Sequence, residues 1–162
     1  MKSLIRNITI LLLFITVSYG NHTIDINEKI KIAQKQDKDL MIFFHIPHCP
    51  YCLRMLSKNF KDKETLNEIK KNFIFIDIYT KDSAIIKFKD FSGTTKDFAT
   101  HLSAVAYPAT IFLNKDEKIL YRSIGYRNIN ELLTEMKYIS TKSFKTMNLE
   151  DFSQKLEFER DD

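Results

Sequence analysis

Apolar and polar residues fall in blocks along this chain, and the repeat of the pattern changes from block to block. Ile26, Ile30 and Ala33 recur at helical spacing, with Lys29, Lys31, Lys35 and Lys38 on the solvated face, which predicts an amphipathic helix from Ile26. Leu40–Phe44 is a short continuous apolar run, the pattern of a strand buried on both faces. Cys49 to Phe60 reads as a helix, with Leu53 and Leu56 along it and Phe60 one turn later. Asp62 is the N-cap expected for a helix reaching Lys71, with Leu66 and Ile69 turned inward. "FIFIDIY", Phe73 to Tyr79, is rich in β-branched and aromatic residues and predicts a strand. Ala84 to Phe91 reads as a strand on a sheet edge. "SGTT", Ser92–Thr95, reads as a turn opening a helix that runs to about Ser103. Pro108 precedes an apolar strand, Thr110–Leu113, and "KDEK" turns it back into Ile119–Ile124. Gly125 ends that strand. Asn128–Ile139 is a helix with Leu132, Leu133 and Met136 inward. Phe144, Met147, Leu149, Phe152 and Leu156 then give the tail the makings of a short amphipathic helix with an acidic end.

Strands that alternate with helices and finish in a hairpin and a helix predict an α/β sandwich built on a mixed sheet. At 162 residues the chain holds one domain with one well-filled core. Its first twenty residues stand apart from that plan. Lys2 and Arg6 precede the apolar run Ile8–Val17, and Ser18 and Gly20 follow. This is the layout of a secretory signal peptide cut after Gly20. An uncleaved anchor is the alternative, but the run is about half of the roughly 20 residues that span a bilayer. The expected organisation is a leader at 1–20, a domain at 21–140 and an extension at 141–162, with a periplasmic location. Removing the leader leaves 23 basic against 21 acidic residues, a net charge of +2 instead of +4. The basic balance therefore gives no ground for a nucleic-acid partner.

Export changes the reading of the two cysteines, Cys49 and Cys52, in "HIPHCPYC". A stapling disulfide gains most by closing a long loop, and this pair closes a very short one. Chemistry explains it better. The pair follows a strand and opens a helix, whose unpaired N–H groups and positive dipole end stabilise a thiolate at Cys49. Pro50 suits the first helical position, because an N–H there would lack a partner anyway. Cys52, on the same turn, is expected to be more buried and to act as the resolving thiol. The competing reading is a metal site for zinc or copper. It would need His45 and His48 as ligands, crowded into one strand–helix corner.

The strand "LMIFF", the motif "CPYC", "AYPATIFLN" at Ala106–Asn114 and "RSIGY" at Arg122–Tyr126 together resemble the thioredoxin superfamily. Within it the chain is similar to exported SoxW-like thioredoxins and to the thioredoxin-like domain of DsbD-type electron carriers. The resemblance spans roughly residues 25–140, with the tail similar to the SoxW-like extension. It implies a thioredoxin fold, a mixed central sheet flanked by helices in three α/β/α layers. It also implies Cys49 as the attacking cysteine, Cys52 as the resolving one, and Pro108, preceded by Tyr107, as a cis-proline lying against them. Gly125 matches a family glycine beside the active site. Three features depart from the family pattern. His48 stands where thioredoxins usually carry tryptophan, Phe43 stands near the place of a buried acid, and the "PY" dipeptide is that of glutaredoxins.

The activity implied is thiol–disulfide exchange, most simply the reduction of protein disulfides. The alternatives are an oxidant on the same fold and a metal-binding chaperone. No cofactor beyond the Cys49–Cys52 disulfide is expected. The implied partners are protein thiols and disulfides and a membrane electron donor of DsbD or CcdA type, for a chain acting as a monomer. Among the neighbours, His48 reads either as a tuner of the Cys49 thiolate or as a solvent-facing ring. Tyr51 reads either as a substrate contact or as an exposed bystander. Asp77 reads either as a surface acid at a strand end or as a proton acceptor for Cys52. His45 is expected to pack near the sheet edge, and Phe43, Phe44, Phe73 and Phe75 in the core.

Overall fold

The structure is a computed structural model describing residues 22–161, so the expected leader lies outside the described residues. Strand β1 (Thr23–Asp25) leads into helix α1 (Ile26–Gln36), followed by strand β2 (Asp39–His45) and helix α2 (Pro50–Ser57). A 3-10 turn at Asn59–Lys61 joins α2 to α3 (Lys63–Asn72), and β3 (Phe73–Tyr79) follows. Next come β4 (Ile85–Phe88), β5 (Phe91–Thr94), α4 (Thr95–His101), β6 (Ala109–Leu113), β7 (Ile119–Ile124) and α5 (Ile129–Ser140). A second 3-10 turn at Ser143–Lys145 precedes α6 (Leu149–Asp161). No helix among the described residues is long and apolar enough to cross a membrane.

The central sheet has the order β3-β2-β6-β7. Strand β2 runs parallel to β3 and antiparallel to β6, so the sheet is mixed. Successive side chains of β2 enter opposite layers, as pleating requires. Leu40, Ile42 and Phe44 pack with Ile26 and Ile30 of α1 and Phe98 of α4. Met41 and Phe43 pack with Met55 of α2, Ile69 of α3 and Leu132 and Met136 of α5. Burial on both faces is why the β2 sequence reads as an unbroken apolar run. These are the three layers of the thioredoxin fold.

Several local expectations are corrected. A second sheet, β1-β4-β5, was not foreseen, because β1 is three residues long and carries no periodic pattern. Residues 84–91 are not one edge strand. Strand β4 occupies the centre of the second sheet, between β1 and β5. Ser92–Thr94 belong to β5 instead of a turn, and Thr94 caps α4 in a reciprocal capping box with Asp97. The helix expected over Cys49–Phe60 stops at Ser57. Its inward face is Cys52 and Met55, while Leu53 is 62% exposed. Asp62 does cap α3, accepting from the Thr65 N–H at 3.0 Å.

The tail folds back on the domain. Phe152 of α6 is buried against the Tyr138 ring of α5 at 5.4 Å, and the Tyr138 hydroxyl donates to the Met147 carbonyl at 2.7 Å. Phe152→Ala should lower the unfolding free energy by about 3 kcal/mol, the size expected for emptying a buried aromatic site. Urea denaturation followed by circular dichroism measures it. An unchanged midpoint would mean that α6 does not hold to α5 in solution.

Candidate active site

Cys49 sits where β2 gives way to α2. It is the N-cap of α2, with extended backbone, and its Sγ accepts the Cys52 N–H at 3.1 Å. The two sulfurs are joined in a disulfide across a Cα–Cα distance of 5.2 Å. Cys49 is 8% exposed and Cys52 only 1%. Pro50 holds the first helical position, and the first turn of α2 carries no acidic side chain. Nothing in that turn opposes negative charge on Cys49, and the helix end favours it.

The sheet register brings the other expected residues to the same end of the molecule. Phe44 lies opposite Ala109, so the start of β6 meets the C-terminal end of β2. The Tyr107–Pro108 bond just before β6 is cis, and Pro108 is buried. Ala109 in turn pairs with Ile124, the last residue of β7. The Gly125 N–H donates to the Pro108 carbonyl at 2.8 Å, with Gly125 at φ +93°. That φ is open to glycine at little cost, which explains this glycine in the sequence. Tyr107 is half-buried, and burial raises its phenol pKa against an opposing hydrogen bond with Thr80.

The histidines divide. His48 is exposed, at φ +55°, a left-handed conformation that strains a residue with a Cβ. His45 is not at a sheet edge, since β2 is an inner strand. Its ring stacks on Phe43, and its Nε2 lies 3.1 Å from Asp77 Oδ1. Asp77 is at the surface, two residues before the end of β3. It stands within β3 opposite Phe43, half-exposed, on the same sheet face as His45. Among the described residues no three His, Cys, Asp or Glu side chains come together as a metal site.

Two groups near the dithiol were not read from the sequence. Tyr126, next to Gly125, packs its ring 5.4 Å from that of Tyr51 inside the CPYC motif, and the Arg54 guanidinium lies 5.8 Å from the Tyr126 ring centre. Behind this loop a polar cluster is sealed in. Glu135 Oε1 accepts from Ser123 Oγ at 2.9 Å and from Arg127 Nε at 2.6 Å. Asn59, also buried, donates its side-chain amide to the Arg127 carbonyl. The cluster fixes the backbone that carries Tyr126. Glu135 was missed because glutamate on a helix is ordinarily solvated. Its spacing with Leu132, Met136 and Ile139 was the available signal.

A family model for the thioredoxin-like domain matches residues 26–140. The chain belongs to the thioredoxin-like domain family. Among solved structures it is similar to a thioredoxin-fold protein from Helicobacter pylori, at 22% identity and a TM-score of 0.60, with 75% of this chain and 81% of that one covered. It is also similar to a thioredoxin from Thermus thermophilus, at 20% identity and a TM-score of 0.58, covering 75% and 88%. A putative disulphide-isomerase from Bacteroides thetaiotaomicron aligns at 22% identity with a TM-score of 0.57, covering 74% and 92%. No curated protein matches the sequence.

Burial raises the Glu135 carboxyl pKa above its ordinary value, and the hydrogen bonds from Ser123 and Arg127 only partly oppose it. A carboxyl raised on folding favours the native state below its unfolded pKa, and that advantage is lost as pH rises through the folded value. Stability of the native chain should therefore fall, relative to Glu135→Gln, as pH is raised from the ordinary glutamate range. Parallel pH series of urea midpoints for the two proteins test this, and parallel curves would contradict it.

Proposed function

We propose that this chain is an extracytoplasmic thiol–disulfide oxidoreductase that reduces protein disulfides with the Cys49–Cys52 dithiol. The observation that carries the reading is the placement of Cys49 at the N-terminus of α2, with its sulfur accepting a backbone N–H and the residue more exposed than Cys52. A helix start lowers a thiol pKa, and a thiolate is the attacking species in exchange.

The cycle balances as follows. The Cys49 thiolate attacks one sulfur of a substrate disulfide, forming a mixed disulfide and expelling the other substrate sulfur as a thiolate. Cys52 gives up its proton and attacks the Cys49 sulfur, which releases the second substrate thiolate and closes the Cys49–Cys52 bond. Two electrons pass from the dithiol to the substrate. A membrane dithiol donor of DsbD or CcdA type then reduces the pair, in the periplasm, to which the N-terminal leader directs the chain. Tyr51, with 58% of its surface exposed, and Val105, with 82%, offer apolar contact on the segments that carry the dithiol and the cis-proline. The backbone at Tyr107–Pro108 receives the substrate segment, and His48 borders the attacking sulfur.

Cys52→Ser should accumulate a mixed disulfide between Cys49 and substrate, visible as a reducible adduct on a non-reducing gel. Cys49→Ser should form none and lose insulin reduction. An adduct formed equally by Cys49→Ser would sink the assignment of roles. Equilibration against glutathione buffers should give a potential near roughly −270 mV, as in thioredoxin. A value near roughly −120 mV would turn the proposal around, making the protein an oxidant.

A further inference from the structure

Two polar residues at one corner of the central sheet have as yet no part in the chemistry: His45, the last residue of β2, and Asp77 of β3. His45 Nε2 lies 3.1 Å from Asp77 Oδ1, with the imidazole 16% exposed and the carboxylate 45%. The Phe43 and Tyr79 rings flank the imidazole at 5.8 and 5.1 Å. The main chain is held as well, since the His45 carbonyl accepts the Thr80 N–H at 2.9 Å and the Thr80 hydroxyl at 3.2 Å. A half-exposed pair of this kind adds little to stability, so stability alone is a weak reason for so firm a hold on one ring. The carboxylate also sets the tautomer. An Nε2–H that donates to Asp77 leaves the lone pair on Nδ1. Among the described residues Nδ1 has no hydrogen-bond partner. His45 is thus set up to accept a proton at Nδ1.

The dithiol has a proton to give. Cys52 must lose one in the exchange cycle, yet it is only 1% exposed, and burial holds a thiol in its protonated form. The first turn of α2 supplies no acidic side chain to take that proton. Met55, on the inward face of α2 with Cys52, shares a core cluster with Met41 and Phe43 of β2. Cys52 is one helical turn, about 5 Å, nearer the start of α2 than Met55. His45 is two residues, about 7 Å, nearer the end of β2 than Phe43, on the same face. Since α2 starts close after β2 ends, both steps lead to one corner. The other titratable groups of this corner are Tyr79, Cys49 and, on the connecting loop, His48. Arg54 and Lys58 of α2 and Lys81 and Asp82 after β3 are exposed, and β6 carries none.

We infer that His45, oriented by Asp77, accepts the Cys52 proton in the resolving step. The inference rests on the redox reading proposed above and adds to it the group that takes this proton. The Cys52 S–H bond breaks and an N–H bond forms at His45 Nδ1. The Cys52 sulfur bonds to the Cys49 sulfur as the bond from Cys49 to substrate breaks, and the substrate leaves as a thiolate. The imidazolium, held beside the Asp77 carboxylate, then gives its proton to that thiolate or to solvent. Two electrons have passed to the substrate, and His45 is restored.

The test follows the mixed disulfide itself. Reduced protein is mixed with excess oxidised glutathione and quenched in acid at intervals. Mass spectrometry then counts the reduced, glutathionylated and closed-disulfide forms. His45→Phe keeps an aromatic ring beside Phe43. It should slow decay of the glutathionylated form about a hundredfold, the low end of what a positioned proton acceptor contributes, so that this form accumulates. The reduced form should disappear at the wild-type rate. Asp77→Asn, at a half-exposed position, should slow the same decay less, and it carries the test alone if His45→Phe does not fold. Both deficits should shrink in alkaline solution, where hydroxide takes the proton instead. No accumulation in His45→Phe, undiminished decay in Asp77→Asn, or a slowing of both steps that persists at alkaline pH would overturn the inference. Wild-type protein that forms no adduct on Cys49, or never closes the Cys49–Cys52 bond, would sink the redox reading and the inference with it.

Discussion

Strand β2 is hydrogen-bonded along both edges, parallel to β3 and antiparallel to β6, and the arrangement of the site follows from that double pairing. A strand held on both sides and buried on both faces has no freedom of register, because a slip of one residue would exchange the side chains of its two layers. Its C-terminal end is therefore a fixed point. Four residues later Cys49 caps α2, across the sheet Pro108 immediately precedes β6, and one strand further Gly125 follows β7. The dithiol is carried by short connections from a rigid plane.

Two sulfurs so close in sequence acquire unequal surroundings from this placement. Cys49 is at the helix end, where backbone donors are unpaired, and Cys52 is one turn in, buried like Met55 on the inward face of α2. That inequality arises without any acidic side chain in the first turn of α2. The His45–Asp77 pair lies on the sheet face that also carries Met41 and Phe43, with Asp77 open to solvent.

Most of this frame was legible in the sequence. The β2 and β3 strands, the cap at Asp62, the helix start at Asn128, and the joint presence of "CPYC", Tyr107–Pro108 and Gly125 all carry local signals that tertiary packing left unchanged. What was not legible depended on partners distant in the chain. Strand β1 exists because β4 offers it a ladder, and three residues cannot announce that. Leu53 marked the helix by its type, yet α2 turns Cys52 and Met55 to the core and leaves Leu53 exposed. His45 and Asp77 lie 32 residues apart, and only the β2–β3 register brings them together. Glu135 shares the buried face of its helix with Leu132 and Ile139, but its partners, Ser123 of β7 and Arg127, come from outside that helix.

Helix α6 relates to the domain as a ligand on a short leash. The segment 141–148 keeps it beside α5 at an effective concentration that for short linkers is on the order of millimolar. One buried side chain, Phe152, anchors it, while Leu149 and Leu156 are only partly covered and Phe158 is exposed. Contacts too few to hold a separate peptide are thus enough to hold this one. Such an element opens locally at a lower free energy than the sheet it rests on. The domain can release and recapture its last helix while the central sheet stays folded.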